Sequence, residues 1–148
     1  MGLDMYLHAE RFVSEFFSEG DNERAQRIKE LFPELSAGEI KTIRSEVGYW
    51  RKANQIHNWF VRNVQGGEDD CRDYYVGRDQ LKELLDIIQQ VLADRSQAQE
   101  LLPNTAGFFF GSQDYDDYYY QDLENTVNII ERALALPDNL EFYYRSSW

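Results

Sequence analysis

The sequence predicts a single compact α+β domain, in which an antiparallel or mixed sheet of roughly three to five strands packs with about three to four helices. Stretches whose apolar residues recur at every second position are interspersed with stretches of helical period, without the regular spacing of βαβ units. The 148 residues suit one domain with its own core, spanning residues 1–148. Aromatic residues make up 15% of the chain, and most are tyrosine or phenylalanine, which favour half-buried sheet surfaces.

The first third of the chain predicts two strands and up to two helices. Residues 2–8 alternate apolar and polar positions and are typical of a strand. Residues 10–19 fit a short helix with one apolar face. Asp21 is a candidate N-cap for a helix over residues 22–32, which the following proline helps to end. Residues 39–50 alternate again and predict a second strand.

The rest of the chain predicts three helices and two strands. Residues 52–64 have helical period and stop at a Gly-Gly pair. A short strand is expected over residues 71–76, followed by the clearest helix, residues 79–94, capped by its first residue, Asp79. A second strong helix covers about residues 116–135, and residues 140–148 close the chain as a strand.

Charge is distributed unevenly. The formal net charge is −12, so an extended basic face for duplex DNA is not expected. Between residues 41 and 64, however, five cations stand against one carboxylate, Glu46; they are Lys41, Arg44, Arg51, Lys52 and Arg62. This local excess is compatible with a small phosphorylated ligand. The alternative is an uneven surface that is merely solvated.

The stretch GYWRKANQIHNWF, residues 48–60, combines these cations with flat and amide side chains. An aromatic ring can stack on a base, asparagines can hydrogen-bond to its edge, and arginine or lysine can neutralise a phosphate. The predicted ligand-binding residues are Trp50, Arg51, Lys52, Asn54, His57 and Trp59, with Arg145 from the C-terminal YYRSSW joining the same pocket or a subunit contact. The alternative is that both tryptophans fill the core.

A second candidate surface is the run SQDYDDYYYQDLEN, residues 112–125. Negative charge early in a helix is stabilised by the helix dipole, which explains most of the run without a function. The run lacks the spacing of an EF-hand calcium loop. Because tyrosine is favoured in interfaces, the run is also a candidate protein-binding surface, formed by Asp114, Tyr115, Asp116, Asp117 and Tyr118.

No cofactor, metal site or catalytic constellation is predicted. His8 and His57 fall on different predicted elements, and no His/Cys cluster has metal-ligand spacing. Cys71 is the only cysteine, which rules out an internal disulfide and favours a reducing, cytoplasmic setting. The N-terminus does not resemble a signal peptide, and no apolar stretch approaches the roughly 20 residues that span a bilayer.

Four stretches together resemble a family of small proteins encoded by bacteriophages and prophages: MGLDMYL, YWRKANQIHNWF, GFFFGSQDYDDYYYQDL and FYYRSSW. The resemblance covers most of the chain outside about residues 14–40, and it brings no catalytic residue with it. It implies a phage-encoded protein acting in the bacterial cytoplasm. Small acidic phage proteins without catalytic motifs often act by binding.

Three functional hypotheses follow. The leading one is a non-enzymatic, homo-oligomeric binder that sequesters a small nucleotide-like signal of host defence. The second is an acidic inhibitor whose Asp/Tyr surface occupies a basic, nucleic-acid-binding groove of a host protein. The third is a nucleotide-modifying enzyme that uses His57 with a carboxylate such as Asp4, and it lacks a supporting motif.

Overall fold

The alternating apolar residues that begin at Leu3 form one of the two inner strands of a four-stranded sheet. The computed structural model describes residues 2–14, 18–107 and 109–148. Four strands form one antiparallel sheet in the order β2-β1-β4-β3; they are β1 Asp4–Phe12, β2 Thr42–Arg51, β3 Tyr74–Val76 and β4 Glu141–Ser147. The five helices are α1 Asp21–Leu31, α2 Asn54–Asn63, α3 Arg78–Ala93, α4 Ala98–Leu101 and α5 Asp117–Leu134. The predicted α+β fold class is confirmed.

One face of the sheet is covered and forms the core. The odd-numbered residues of β1 from 5 to 9 are buried, whereas the even-numbered ones are partly exposed, as the two-residue period of a strand requires. On β4 the buried residues are Phe142, Tyr144 and Ser146. The Tyr144 ring stacks on Phe60 of α2, with the ring centroids 3.9 Å apart. Helices α3 and α5 pack on each other and complete the core.

Gly48 sets the distance between β2 and α5. A Cβ at this position would collide with the Ile129 side chain, so only glycine allows the helix to pack this closely on the strand. This close packing brings α5 alongside the C-terminal end of β2. The two predicted functional segments, which are about 60 residues apart in sequence, therefore become neighbours.

Helix α2 is buried along most of its length. All seven residues from Asn54 to Phe60 are buried, although four of them are polar. A helix that is buried on every side belongs to the interior of the protein, and its polar side chains need hydrogen-bond partners there. Two of the four, Asn54 and Gln55, donate to backbone carbonyls of residues 110, 112 and 119.

Some sequence-based predictions of local structure were wrong. Residues 10–12 continue strand β1, and the predicted helix over residues 10–19 is not formed; residues 15–17 lie outside the described part of the chain. The residue before α3 is Gly77, whose N–H donates to the Gln80 side chain at 2.9 Å, so Asp79 is not the cap. The short helix α4 and the 3₁₀ turns at residues 33–35 and 95–97 were not predicted.

Asp21 is the first residue of α1 and not its N-cap. Its buried carboxylate pairs with Arg11 and Arg24, each at 2.9 Å, and accepts a hydrogen bond from the backbone N–H of Ser14. The hydrogen bond from Ser14 and the two guanidinium groups lower the pKa of Asp21. The carboxylate therefore fastens α1 to the end of β1.

None of the helices in the described residues is long and apolar enough to cross a membrane.

Candidate functional site

A cavity of about 280 Å³ lies where the end of β2 and the start of α2 meet the segment that leads into α5. This volume is near the lower end of the ~300–1,000 Å³ typical of ligand pockets, which fits a small ligand. The lining residues come from two parts of the chain. They are Arg51, Lys52, Asn54, Gln55, Asn104, Gly111, Ser112, Asp114, Asp116, Tyr118, Tyr119 and Asp122.

Asn54 holds the two parts of the cavity together. Its side-chain Nδ2 donates to the carbonyl oxygens of Phe110 and Ser112, at 3.1 and 2.7 Å, and its Oδ1 accepts from the backbone N–H of Thr105 at 3.0 Å. The side chain is buried and both donors and its acceptor are used. Asn54 is therefore a structural clamp at the edge of the cavity and not a free hydrogen-bonding group for a ligand.

Lys52 and Gly111 approach each other closely beside this clamp. Lys52 has a φ of +58°, a left-handed conformation that costs a residue other than glycine about 1–3 kcal/mol. The conformation is held in place because the Lys52 N–H donates to the Leu3 carbonyl at 2.8 Å and the Lys52 carbonyl accepts from the Asn54 N–H at 2.9 Å. Gly111 has a φ of +87°, and a Cβ there would lie 3.1 Å from the Lys52 Cβ.

Two cations line the cavity without a carboxylate partner. Arg51 and Lys52 are exposed, and neither forms an ion pair with any residue in the described ranges. By contrast, Arg44 on the same strand is bound to Glu10 and Asp73, at 2.7 and 2.8 Å. Arg51 and Lys52 are thus available to an anion, and their backbone geometry is fixed by the hydrogen bonds around Lys52.

Carboxylates line the wall formed by α5 and the loop before it. Asp122 lies within α5, half-buried, and burial raises its pKa to about 6. Its Oδ2 accepts a hydrogen bond from the Gln55 amide at 3.4 Å, a long and weak contact. Asp116 caps α5 by accepting from the Tyr119 N–H at 3.1 Å, and Asp114 is exposed.

The cavity is therefore bipolar. Two unpaired cations lie on one part of its lining, and on another lies Asp122, a carboxylate that is nearly without hydrogen bonds. Such a site is complementary to a ligand that carries both an anionic group and a hydrogen-bond-donating edge. In the described part of the chain, no group of three or more His, Cys, Asp or Glu side chains is arranged to hold a metal ion.

Three predicted ligand-binding residues lie in the core and not in this cavity. Trp50 is 2% exposed and donates from Nε1 to the Thr126 Oγ1 at 2.8 Å. Trp59 is 5% exposed and only borders a crevice of about 90 Å³. His57 is fully buried, with hydrogen bonds to the Tyr144 hydroxyl at 2.7 Å and to Asp69 at 3.0 Å. The expectation that these rings contact a ligand is corrected, because their apolar surface is used in the core.

Arg145 belongs to a different surface. It lies on the uncovered face of the sheet, in a shallow cavity of about 290 Å³ with Tyr6, His8, Glu46 and Ser147. Residues 144 and 146 point into the core, so strand alternation directs residue 145 to the opposite face. The same alternation places Arg51, next to the buried Trp50, on this face as well, but Arg145 does not line the cavity that contains Arg51 and Lys52.

The predicted interface residues divide between the cavity and the solvent. Asp114, Asp116 and Tyr118 line the cavity, and Tyr118 is 77% exposed. Asp117 is exposed outside it. Tyr115 is half-buried, its hydroxyl accepting from the Asn104 N–H at 3.1 Å. The two surfaces that the sequence predicts separately therefore meet in one cavity, which three residues of each set line.

Sequence reasoning missed several cavity residues: Gln55, Asn104, Gly111, Ser112, Tyr119 and Asp122. For Asp122, the available signal was its place in the acidic run, but nothing in sequence distinguishes it from its neighbours there. The other residues carry no sequence signal of their own.

The residue pair of the enzymatic hypothesis is not formed. His57 is sealed in the core, whereas Asp4 accepts a hydrogen bond from the Tyr49 hydroxyl at the sheet surface. Burial lowers the pKa of His57 despite the nearby Asp69 carboxylate.

No protein-family model, curated protein or solved structure matches this chain significantly. The resemblance to small phage proteins therefore stays a prediction.

Proposed function

We propose that this protein is a non-enzymatic binder that captures a small phosphorylated, nucleotide-like ligand in the cavity between residues 51–55 and 104–122. In this proposal it acts in the bacterial cytoplasm as a phage-encoded sponge for a signal of host defence. One observation carries the proposal: Arg51 and Lys52 line a cavity without a carboxylate partner among the described residues, in a chain of net charge −12.

The surroundings of the two cations support this proposal. An arginine that is free of internal ion pairs can form a bidentate pair with a phosphate, and a lysine adds a second positive charge. The left-handed backbone at Lys52 is strained, and strain of this kind clusters at ligand-binding sites. Tyr118 offers an exposed ring on which a base can stack.

Isothermal titration calorimetry tests the proposal with a panel of cyclic and linear nucleotides. Arg51→Ala should weaken binding of the best ligand by about tenfold or more, as expected for loss of a charge-assisted contact to phosphate. Arg132→Ala is the matched control, since Arg132 is an exposed arginine of α5 that does not line the cavity. Absence of binding to every nucleotide in the panel would overturn the proposal.

A second candidate function, an acidic inhibitor of a basic host protein, is favoured by the exposure of Tyr118 beside Asp114 and Asp117. A pull-down from host lysate with wild type and with Asp114→Lys/Asp117→Lys separates the two candidates. Asp116 is left unchanged because it caps α5, and its loss would destabilise the helix. Recovery of one basic protein that the double variant fails to bind would favour inhibition.

We also propose that the protein self-associates. Five large apolar side chains are exposed between the end of β1 and the start of β2: Phe12, Leu31, Phe32, Leu35 and Ile43. Phe12 and Ile43 lie at the paired ends of β1 and β2, and β2 is an edge strand whose outer backbone groups are unpaired within the sheet. Light scattering after size exclusion should show a dimer or larger species that Phe12→Ser/Ile43→Ser converts to monomer. Tyr75→Ser, on the opposite edge strand, should leave the oligomer intact.

A further inference from the structure

The carboxylate of Asp122 lies in the same cavity as Arg51 and Lys52 and lacks a strong partner. Its one hydrogen bond inside the protein is the long contact from Gln55, and no cation in the described ranges pairs with it. An ionised carboxylate only accepts hydrogen bonds, and it has room for several. A group of this kind inside a cavity is stabilised best by a ligand that supplies donors.

Asp122 is held in position by its helix. Its backbone carbonyl accepts from the Thr126 hydroxyl at 2.6 Å, and Thr126 in turn accepts from the buried Trp50 indole. The Gln55 amide on the other side also donates to the Tyr119 carbonyl at 3.3 Å. The position of Asp122 on α5 and the Gln55 amide on α2 therefore place the carboxylate on the cavity lining.

We infer that the ligand is a guanine nucleotide, an inference that rests on the proposed function. Its phosphate would bind Arg51 and Lys52, and its Watson–Crick edge would bind Asp122. The edge of guanine presents two adjacent donors, the N1–H and the 2-amino group, which match the two oxygens of a carboxylate. Adenine and cytosine each place an acceptor beside their amino group, and that acceptor would face a carboxylate oxygen. Uracil has one N–H between two acceptors.

The charges around Asp122 determine how binding depends on pH. Burial is the largest cause of the rise in the Asp122 pKa to about 6; the Gln55 amide on α2 lowers this pKa, and the carboxylate of Asp116, the N-cap of α5, raises it. Arg51 and Lys52 on the β2 side and Asp114 on the loop complete the charged lining. The carboxylate accepts two donors only when it is ionised, so guanine preference should be present above about pH 6 and diminish below it.

Calorimetry with GMP, IMP and AMP tests this inference, because IMP lacks only the 2-amino group of GMP. At pH 7.5, wild type should bind GMP about tenfold to a hundredfold more tightly than IMP or AMP, the discrimination expected for one good bidentate pair. Asp122→Asn should weaken GMP binding by a similar factor and shift the preference toward AMP, because an amide presents one donor and one acceptor. Asp117→Asn removes an equal charge outside the cavity and should alter neither the affinity for GMP nor the preference for GMP over AMP.

The outcomes separate this inference from the proposed function. Equal affinity for GMP and IMP, unchanged by Asp122→Asn while Arg51→Ala weakens both, would overturn the guanine assignment and leave nucleotide capture standing. Failure of all nucleotides to bind would overturn both. Lowering the pH to 5 should reduce the ratio of GMP to IMP affinity in wild type, and a ratio that does not change with pH would contradict a role for the Asp122 carboxylate.

Discussion

The side-chain amide of Asn54 donates to the carbonyl oxygen of Ser112 at 2.7 Å and so joins the start of α2 to the loop that precedes α5. The same side chain also binds the backbone at Phe110 and Thr105. Asn54→Ala should destabilise the protein by about 2–4 kcal/mol, because it removes three hydrogen bonds and leaves the backbone carbonyl of the buried Phe110 without this partner. Urea unfolding measures this change.

Asn63→Ala is the matched control for Asn54→Ala. Asn63 lies at the exposed end of the same helix, and its side chain makes one hydrogen bond, to the Trp59 carbonyl at 2.9 Å. Its loss should cost at most about 1 kcal/mol. Similar costs for the two variants would contradict the role of Asn54 as a clamp.

Gly111→Ala should weaken both stability and ligand binding. An alanine at a φ of +87° costs about 1–3 kcal/mol in strain, and its Cβ would press on Lys52. Gly67→Ala separates the two effects, since Gly67 has nearly the same φ, +86°, with open space around a Cβ. Both variants should lose stability in thermal unfolding, but only Gly111→Ala should weaken nucleotide binding in calorimetry. Equal binding by both would show that the Lys52–Gly111 contact does not shape the site.

Asp122→Asn should stabilise the protein at pH 8 while it weakens binding. The pKa of Asp122 is about 6 in the folded protein against an ordinary value of 3.8, so the ionised carboxylate is unfavourable in the folded state. At about 1.4 kcal/mol per pKa unit, removing it should gain roughly 1–3 kcal/mol above pH 6, and the gain should shrink to nothing as the pH falls toward 4. Urea unfolding at both pH values checks the sign. A loss of stability at pH 8 would contradict the burial of this charge.

His57 should make the protein less stable as the pH falls through 6.5. Its pKa is lowered by burial, so the unfolded chain takes up a proton at a pH at which the folded protein does not. His57→Gln should therefore flatten the decline in stability between pH 7 and 5. The measurement is best made in an Asp122→Asn background, because Asp122 contributes a pH dependence of opposite sign. His8 is a more exposed histidine whose pKa is also lowered. His8→Gln should therefore flatten the decline in stability less than His57→Gln does.

Trp50→Phe tests the assignment of this indole to the core. It removes the hydrogen bond to Thr126 and should cost about 1–3 kcal/mol of stability, with nucleotide affinity unchanged. In a Thr126→Val background, Trp50→Phe should reduce stability by less, because the hydroxyl that accepts the indole hydrogen bond is already absent. A large loss of nucleotide affinity with little loss of stability would instead indicate that Trp50 contacts the ligand.

Local pattern was sufficient for most of the elements. The alternation in residues 2–8, the helical stripes of α3 and α5, and the excess of cations before residue 64 are all properties of neighbours in sequence. They predicted the α+β class and drew attention to Arg51, Lys52 and the acidic run. Failures such as residues 10–12 arose where the pairing of β1 with β2 overrode an ambiguous local period.

The composition of the site was decided by tertiary structure. A tryptophan, a histidine and an arginine have the same chemistry in a core, in a cavity or on an open sheet face, and sequence does not say which surface each will meet. The close approach of α5 to Gly48 and the hydrogen bonds of Asn54 brought Asp122 into the same cavity as Arg51, while burial withdrew Trp50 and His57. Residues that are about 60–70 positions apart in sequence but close in the structure cannot be recognised from local periodicity, because their contact depends on how the helices pack on the sheet.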